Sequence, residues 1–334
     1  MQHYSLLDLA PVAQGDTITQ ALANARSLAQ HAEKMGFHRY WLAEHHNMPG
    51  IASAATAVLI GHVAGATSTM RIGSGGIMLS NHAPLMIAEQ FGTLQALYGD
   101  RIDLGLGRAP GTDGHTAQAL RRHMDSADTF PNDVAELLGY LGDTPPPTGV
   151  NAFPGAGSNV PVWILGSSLF GAQFAAYMGL PYAFASHFAP QLLAQALHTY
   201  RTTFRPSRYL AKPYAIIAAS VIAADTDDEA DYLRSSQLQS FANVVTGKRG
   251  QIPAPVADIA AHVPPQVLAQ VRHMLSVSAH GGPDKLHRDL ARILTTYQPD
   301  ELMVTSIFHN HAKRLHSLTL TANALQDLAI HAPA

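Results

Sequence analysis

The stretch Tyr40-Trp41-Leu42-Ala43-Glu44-His45-His46-Asn47 ends a short apolar run in a carboxylate and two adjacent imidazoles. Those groups do acid–base chemistry or hold metals. Neighbouring side chains on a strand point to opposite faces. One of His45 and His46 therefore faces a site while the other packs sideways. Asp8, His82, Ser186 and His187 also stand where apolar runs end, as do Ser80 and Asn81.

Two further segments suit an anion. Gly166-Ser167-Ser168 combines a glycine with two hydroxyls where a helix is expected to open. Free amides at a helix start and flanking hydroxyls make a phosphate site; the same serines also serve as plain N-caps. Arg108 follows Gly105-Leu106-Gly107, where small residues leave room for a ligand and a guanidinium clamps a phosphate. A structural salt bridge is the other role for Arg108. His309-Asn310-His311 is an H-x-H pair, but metal-dependent barrel hydrolases place theirs on the first strand, which here offers only Asp8. H-E-x-x-H is absent, and no metal site is expected.

The elements that position these residues alternate. Strands are expected at 4–10, 38–43, 71–79, 102–107, 161–165, 182–186, 214–223 and 301–307. Helices are expected at 17–35, 53–67 with Ser53 as N-cap, 84–98 opened by Pro84, 169–179, 190–205, from about Thr226, and 312–329. A loop with helical segments fills 111–142, and Thr144-Pro145-Pro146-Pro147-Thr148-Gly149 reads as an irregular connector. Eight strand-then-helix units imply a parallel sheet closed into a (β/α)8 TIM barrel. An open dinucleotide-binding sheet would carry G-x-G-x-x-G after strand one; Ala10-Pro11-Val12 stands there instead.

Residues 1–334 thus read as one domain with an insertion before strand eight, at 246–296. It is longer than an ordinary connection and serves either as an active-site lid or as a surface excursion. From Ala52 to Thr67 there is no carboxylate, lysine or arginine, and Leu85-Met86-Ile87-Ala88 is similarly apolar. An outer barrel helix shows water a polar face, so 53–67 and 84–98 are expected to be covered by a second subunit.

Composition narrows the classes. The chain is 47% hydrophobic and 13% charged, with a net charge of −3. No bulk field recruits nucleic acid or an anionic membrane. There is no cysteine, so disulfides and thiolate sites are excluded. No signal peptide or membrane span is visible, and a cytoplasmic location is expected. The 19 histidines are spread along the whole chain, which points to residue bias for most of them.

Five motifs occur in order: Trp41-Leu42-Ala43-Glu44-His45-His46; Arg71-Ile72-Gly73-Ser74-Gly75-Gly76-Ile77-Met78-Leu79; His82-Ala83-Pro84-Leu85 with Ala88-Glu89-Gln90; Arg101-Ile102-Asp103-Leu104-Gly105-Leu106-Gly107-Arg108; and Gly166-Ser167-Ser168. With them the chain, from strand one to about Phe188, resembles the bacterial-luciferase-like flavin-dependent monooxygenases. The resemblance implies a barrel that binds FMN, reduced and supplied by a separate NAD(P)H-dependent flavin reductase, and uses molecular oxygen to oxidise a small organic substrate. It implies that His45 is catalytic and that Arg108, Gly166, Ser167 and Ser168 lie on the phosphate side. One position departs: the luciferase α chain has a carboxylate where Ser167 stands. Ser80 and Asn81 match a cofactor-side bulge that often holds a non-proline cis peptide. Family members dimerise through helices two and three. A flavin-binding protein without turnover, or a deazaflavin-dependent dehydrogenase, uses the same fold.

Overall fold

The computed structural model describes residues 1, 3–109, 113–121, 128–144 and 149–330. Pro145, Pro146, Pro147 and Thr148 of the expected connector lie outside them, as do Pro110 and Gly111. The strands are β1 (His3–Asp8), β2 (Arg39–Leu42), β3 (Arg71–Met78), β4 (Ile102–Gly107), β5 (Val162–Gly166), β6 (Tyr182–Phe184), β7 (Ala215–Ala223), β8 (Ser278–Gly281) and β9 (Glu301–Thr305). The helices are α1 (Ile18–Lys34), α2 (Thr56–Ala64), α3 (Pro84–Tyr98), α4 (Gly114–Ala119), α5 (Phe130–Leu141), α6 (Leu169–Met178), α7 (Leu193–Thr203), α8 (Asp227–Val245), α9 (Pro265–Met274), α10 (Pro283–Tyr297) and α11 (His311–Ile330).

Eight parallel strands close a ring in the order β1, β2, β3, β4, β5, β6, β7, β9. This is the (β/α)8 barrel that the alternation predicts. β8 is an addition that the sequence reading does not contain. The nine-residue β7 pairs with β9 along Ile216–Ser220 and with β8 along Ser220–Ala223. Ser278-Ala279-His280-Gly281 is too short and too polar to stand out as a strand, and β7 recruits it by offering a free upper edge.

Residues 246–296 therefore divide in two. Lys248–Ile252 crosses the barrel mouth, where Ile252 bonds to Val12 and Gln14 at 2.9 Å each. Beyond it, α9 packs on α8 through Leu238, Ala242, Leu268 and Val271. Leu286, Leu290 and Ile293 of α10 join the main core.

Strand alternation sorts the barrel's two sides. Leu6, Tyr40 and Leu42 face the helices, while Leu7, Trp41 and Ala43 face the interior with Trp163, Ile216 and Met303. The lower interior is closed by a charged plug. Arg39 bonds Asp103 at 2.6 Å and Glu301 at 2.7 Å, Trp41 donates to Asp103 at 3.1 Å, and the Arg39 guanidinium lies 4.6 Å from the Trp163 ring. With one end plugged, a ligand enters from the C-terminal end of the strands.

Two helices, α2 and α7, start three residues later than expected, α7 at Leu193 rather than at 190. α3 begins at Pro84, as the missing N–H of proline favours. α2 begins at Thr56 rather than after Ser53, and its cap residue, Ala55, supplies no side-chain bond. The Ser53 carbonyl instead accepts from the Thr56 hydroxyl at 2.9 Å.

Candidate active site

A cavity of about 510 Å³ opens at the C-terminal end of the barrel. Leu7, Trp41, Ile216, Ala218 and Met303 line its lower part, and Arg108, Gly166, Ser167 and Ser168 line one side of its upper part. α8 adds Gln237, Ser240, Phe241 and Val244, one helical stripe. That stripe mixes polar and apolar residues, so nothing in the sequence marks it as a site wall.

His45 lines the cavity and His46 does not. The inward alternation of Trp41 and Ala43 continues to His45, which leaves Glu44 and His46 on the other side. Glu44 is a buried hub: His46 donates to it at 2.8 Å, His82 at 2.9 Å and the Met78 N–H at 3.0 Å. Burial alone would raise its pKa, but the bonds from His82, His46 and Met78 win and hold the carboxyl below its ordinary range. Glu44 thus braces the wall, and two of the expected chemical groups, His46 and His82, are spent on it. Burial holds His45 below the ordinary imidazole range, with the Glu44 charge opposing.

Arg108, Gly166, Ser167 and Ser168 stand together along the cavity. Ser168 caps α6 in extended conformation with no side-chain cap bond. The hydroxyls of Ser167 and Ser168 are thus free of the capping role, and the first amides of α6 are open to a ligand. Arg108 makes no ion pair among the described residues; its guanidinium lies over Phe170 at 4.2 Å. The salt-bridge role for Arg108 is absent there, and its charge is available at the rim.

Three expectations need correction. Ser80 and Asn81 do not line the cavity; they lie buried in a 3-10 turn after β3. The non-proline cis peptide joins Gly75 and Gly76 instead. There β3 shifts register against β4, and Gly75 and Gly76 line the cavity. Only glycine fits at 76, where a Cβ would stand 2.6 Å from the Gly105 carbonyl oxygen; one on Gly75 would press on Leu7 Cδ1 at 2.8 Å. Third, Gly105 does not make room for a ligand. Its missing Cβ is occupied by protein, with Ser74 O at 2.3 Å and Leu165 Cδ1 at 2.7 Å. Close strand approach, not ligand volume, requires it.

Asp8 accepts from Arg314 of α11 at 2.8 Å, both buried. His309 is spent on the Gln14 carbonyl at 3.0 Å. Among the described residues no three of His, Asp and Glu converge as a metal would need. His187, at the end of β6, lines the cavity.

A family model of luciferase-like monooxygenases matches residues 3–272. The chain belongs to that family. A luciferase-like monooxygenase of Escherichia coli K12 is 51% identical over 97% of each chain. The crystal structure of apo-MsnO8 superposes with a TM-score of 0.87 at 33% identity, covering 98% of this chain and 99% of that one. The oxygenating constituent of 3,6-diketocamphane monooxygenase from Pseudomonas putida, in complex with FMN, shares the fold at 15% identity, with a TM-score of 0.69 over 97% and 98% of the two chains.

Proposed function

We propose that this protein is a two-component monooxygenase that takes reduced FMN from an NAD(P)H-dependent flavin reductase and uses molecular oxygen on a small organic substrate. One observation carries the reading. An arginine with no ion pair among the described residues, two serines that make no capping bond and an open helix start meet at one rim of an apolar cavity that also presents His45. Arg108, the α6 amides and the hydroxyls of Ser167 and Ser168 would hold the phosphate. Bound reduced flavin would supply the electrons that activate oxygen. The chain's own part is to bind and shield. Leu7, Trp41 and Met303 exclude water from the cavity floor. His45, desolvated and neutral at pH 7, would hold or pass a proton at Nε2, the ring nitrogen that is not shut away. Lys248–Ile252 would act as the lid of the cavity.

The helix face left uncharged by the sequence is exposed. Val58 of α2 is 75% accessible and Leu97 of α3 is 66% accessible. A second copy of the chain on α2 and α3 would cover them, giving a homodimer. Among the described residues no helix is long and apolar enough to cross a membrane.

Anaerobically reduced FMN mixed with oxygenated buffer tests the reading. The expected result is flavin reoxidation slower than that of free flavin, with the delay lost in His45→Ala. FMN binding without any delay would make the protein a flavin binder rather than an oxygenase. Binding of a deazaflavin in place of FMN would favour the dehydrogenase reading.

A further inference from the structure

His45 and His187 stand on opposite sides of the cavity. β2 and β6 are four places apart in a ring of eight, so they face each other across the barrel. Each histidine lies just past the end of its strand, and both line the cavity. Ser186 fixes the turn that carries His187 by donating to the Ala218 carbonyl of β7 at 2.6 Å. The Phe188 ring meets the imidazole of His187 edge to face at 4.8 Å.

The two rings share a hydrogen-bond pattern. In each, among the described residues, Nδ1 is buried with no partner, while Nε2 has no hydrogen bond and is not shut away. An orphaned buried N–H is rarer in proteins than an orphaned acceptor. The proton of each neutral ring therefore belongs on Nε2, where the cavity can satisfy it. Burial pushes His187 down to about 3, with the His45 charge adding to the effect, and burial lowers His45 as well. Neither ring carries charge at neutral pH. The remaining lower walls, Leu7, Trp41, Ile216, Ala218 and Met303, are apolar.

We infer that His187 is a second substrate-contacting residue, which with His45 forms a pair of neutral N–H donors holding one acceptor oxygen of an otherwise apolar substrate. A neutral pair discriminates. The two rings give an anionic group no charge to pair with, and a group that can only donate leaves both N–H groups unmet. The inference rests on the flavin reading only in that the same cavity is taken to receive both ligands. The donor pair itself is a property of this chain.

Long-range proton–nitrogen NMR of protein labelled with 15N-histidine reads the pair directly, with 2-heptanone as the probe, since it accepts hydrogen bonds and cannot donate them. The expected result is the Nε2–H tautomer for both rings and movement of both Nε2 resonances as ketone is added. His187→Phe should weaken ketone binding about fivefold, the loss of one neutral hydrogen bond. His187→Gln, whose amide nitrogen can take the place of Nε2, should restore it to within about twofold of wild type. Circular dichroism and FMN binding of both variants check that they fold. An Nδ1–H tautomer at His187, ketone binding unchanged in His187→Phe, or no movement of either resonance would overturn the proposal. Loss of FMN binding in wild type, with the donor pair intact, would overturn the flavin reading alone.

Discussion

Glu44 accepts a hydrogen bond from the Nε2 of His46, two residues on, at 2.8 Å. The same carboxylate takes His82 and the Met78 amide, and this fixes which of the adjacent histidines is left for the cavity. Glu44→Gln keeps the shape but removes the charge that holds three donors. It should destabilise the fold by about 2–4 kcal/mol. Because the folded carboxyl titrates below its ordinary value of 4.5, its contribution is complete above that value and is lost as pH falls through the folded one. Thermal melts should therefore show a gap between wild type and variant at neutral pH that closes in acid. A gap that stays the same well below pH 4.5, where the carboxyl is protonated both folded and unfolded, would deny the ionised hub.

The plug at the lower end of the barrel makes a second prediction. Arg39 lies buried between Asp103 and Glu301. Removing it with Arg39→Met leaves Glu301 without an ion-pair partner among the described residues and Asp103 with Arg71 alone. A loss of about 3–5 kcal/mol is expected in urea denaturation. The cavity lies at the other end, so FMN affinity of the folded variant should change little.

Arg108 offers a test with an internal control. Among the described residues its guanidinium makes no ion pair and stacks on Phe170, which leaves its charge for a phosphate. Arg108→Ala should weaken FMN binding about 10- to 100-fold, the value of a charge-assisted bond. Riboflavin, which lacks the phosphate, should bind wild type and variant alike. Flavin fluorescence titrations with both ligands separate a phosphate contact from a general loss of the site.

The strap over the mouth is clasped by Arg249, which donates to the Asn47 carbonyl at 3.1 Å and pairs with Asp113. The clasp is partly exposed and contributes little to global stability. Arg249→Ala should leave the melting temperature unchanged but speed amide hydrogen exchange at 247–252. In wild type, FMN should slow exchange in the same peptides. Equal exchange with and without FMN would remove the lid assignment.

The exposed apolar face of α2 and α3 predicts association. Sedimentation velocity should give twice the 35.7 kDa chain mass. Val58→Glu, which places a charge in the proposed interface, should give the single-chain mass with the fold intact. A wild-type monomer at micromolar concentration would end the homodimer proposal.

The sequence by itself determined the strand and helix alternation, and with it the eight-strand ring, because burial imposes a period on each apolar run and short connections join neighbours. It also marked the strand ends where Arg108, Gly166, Ser167, Ser168 and the His45-His46 pair stand. Local composition did not reveal β8, whose four residues become a strand only because β7 offers an edge to pair with. Nor did it separate the two uses of glycine. Gly105 reads as space for a ligand, and only the distance to the next strand shows that protein fills the gap. Ser80 and Asn81 sit at the end of a strand like the others, yet they fold into a buried 3-10 turn and do not line the cavity. His187 had no sequence signal beyond its place after an apolar run. Its meeting with His45 joins residues that lie 142 positions apart, by subtraction of their numbers in the chain. Only closure of the ring brings β2 and β6 face to face, because chemistry between strands depends on their place in the barrel and not on their order in the chain.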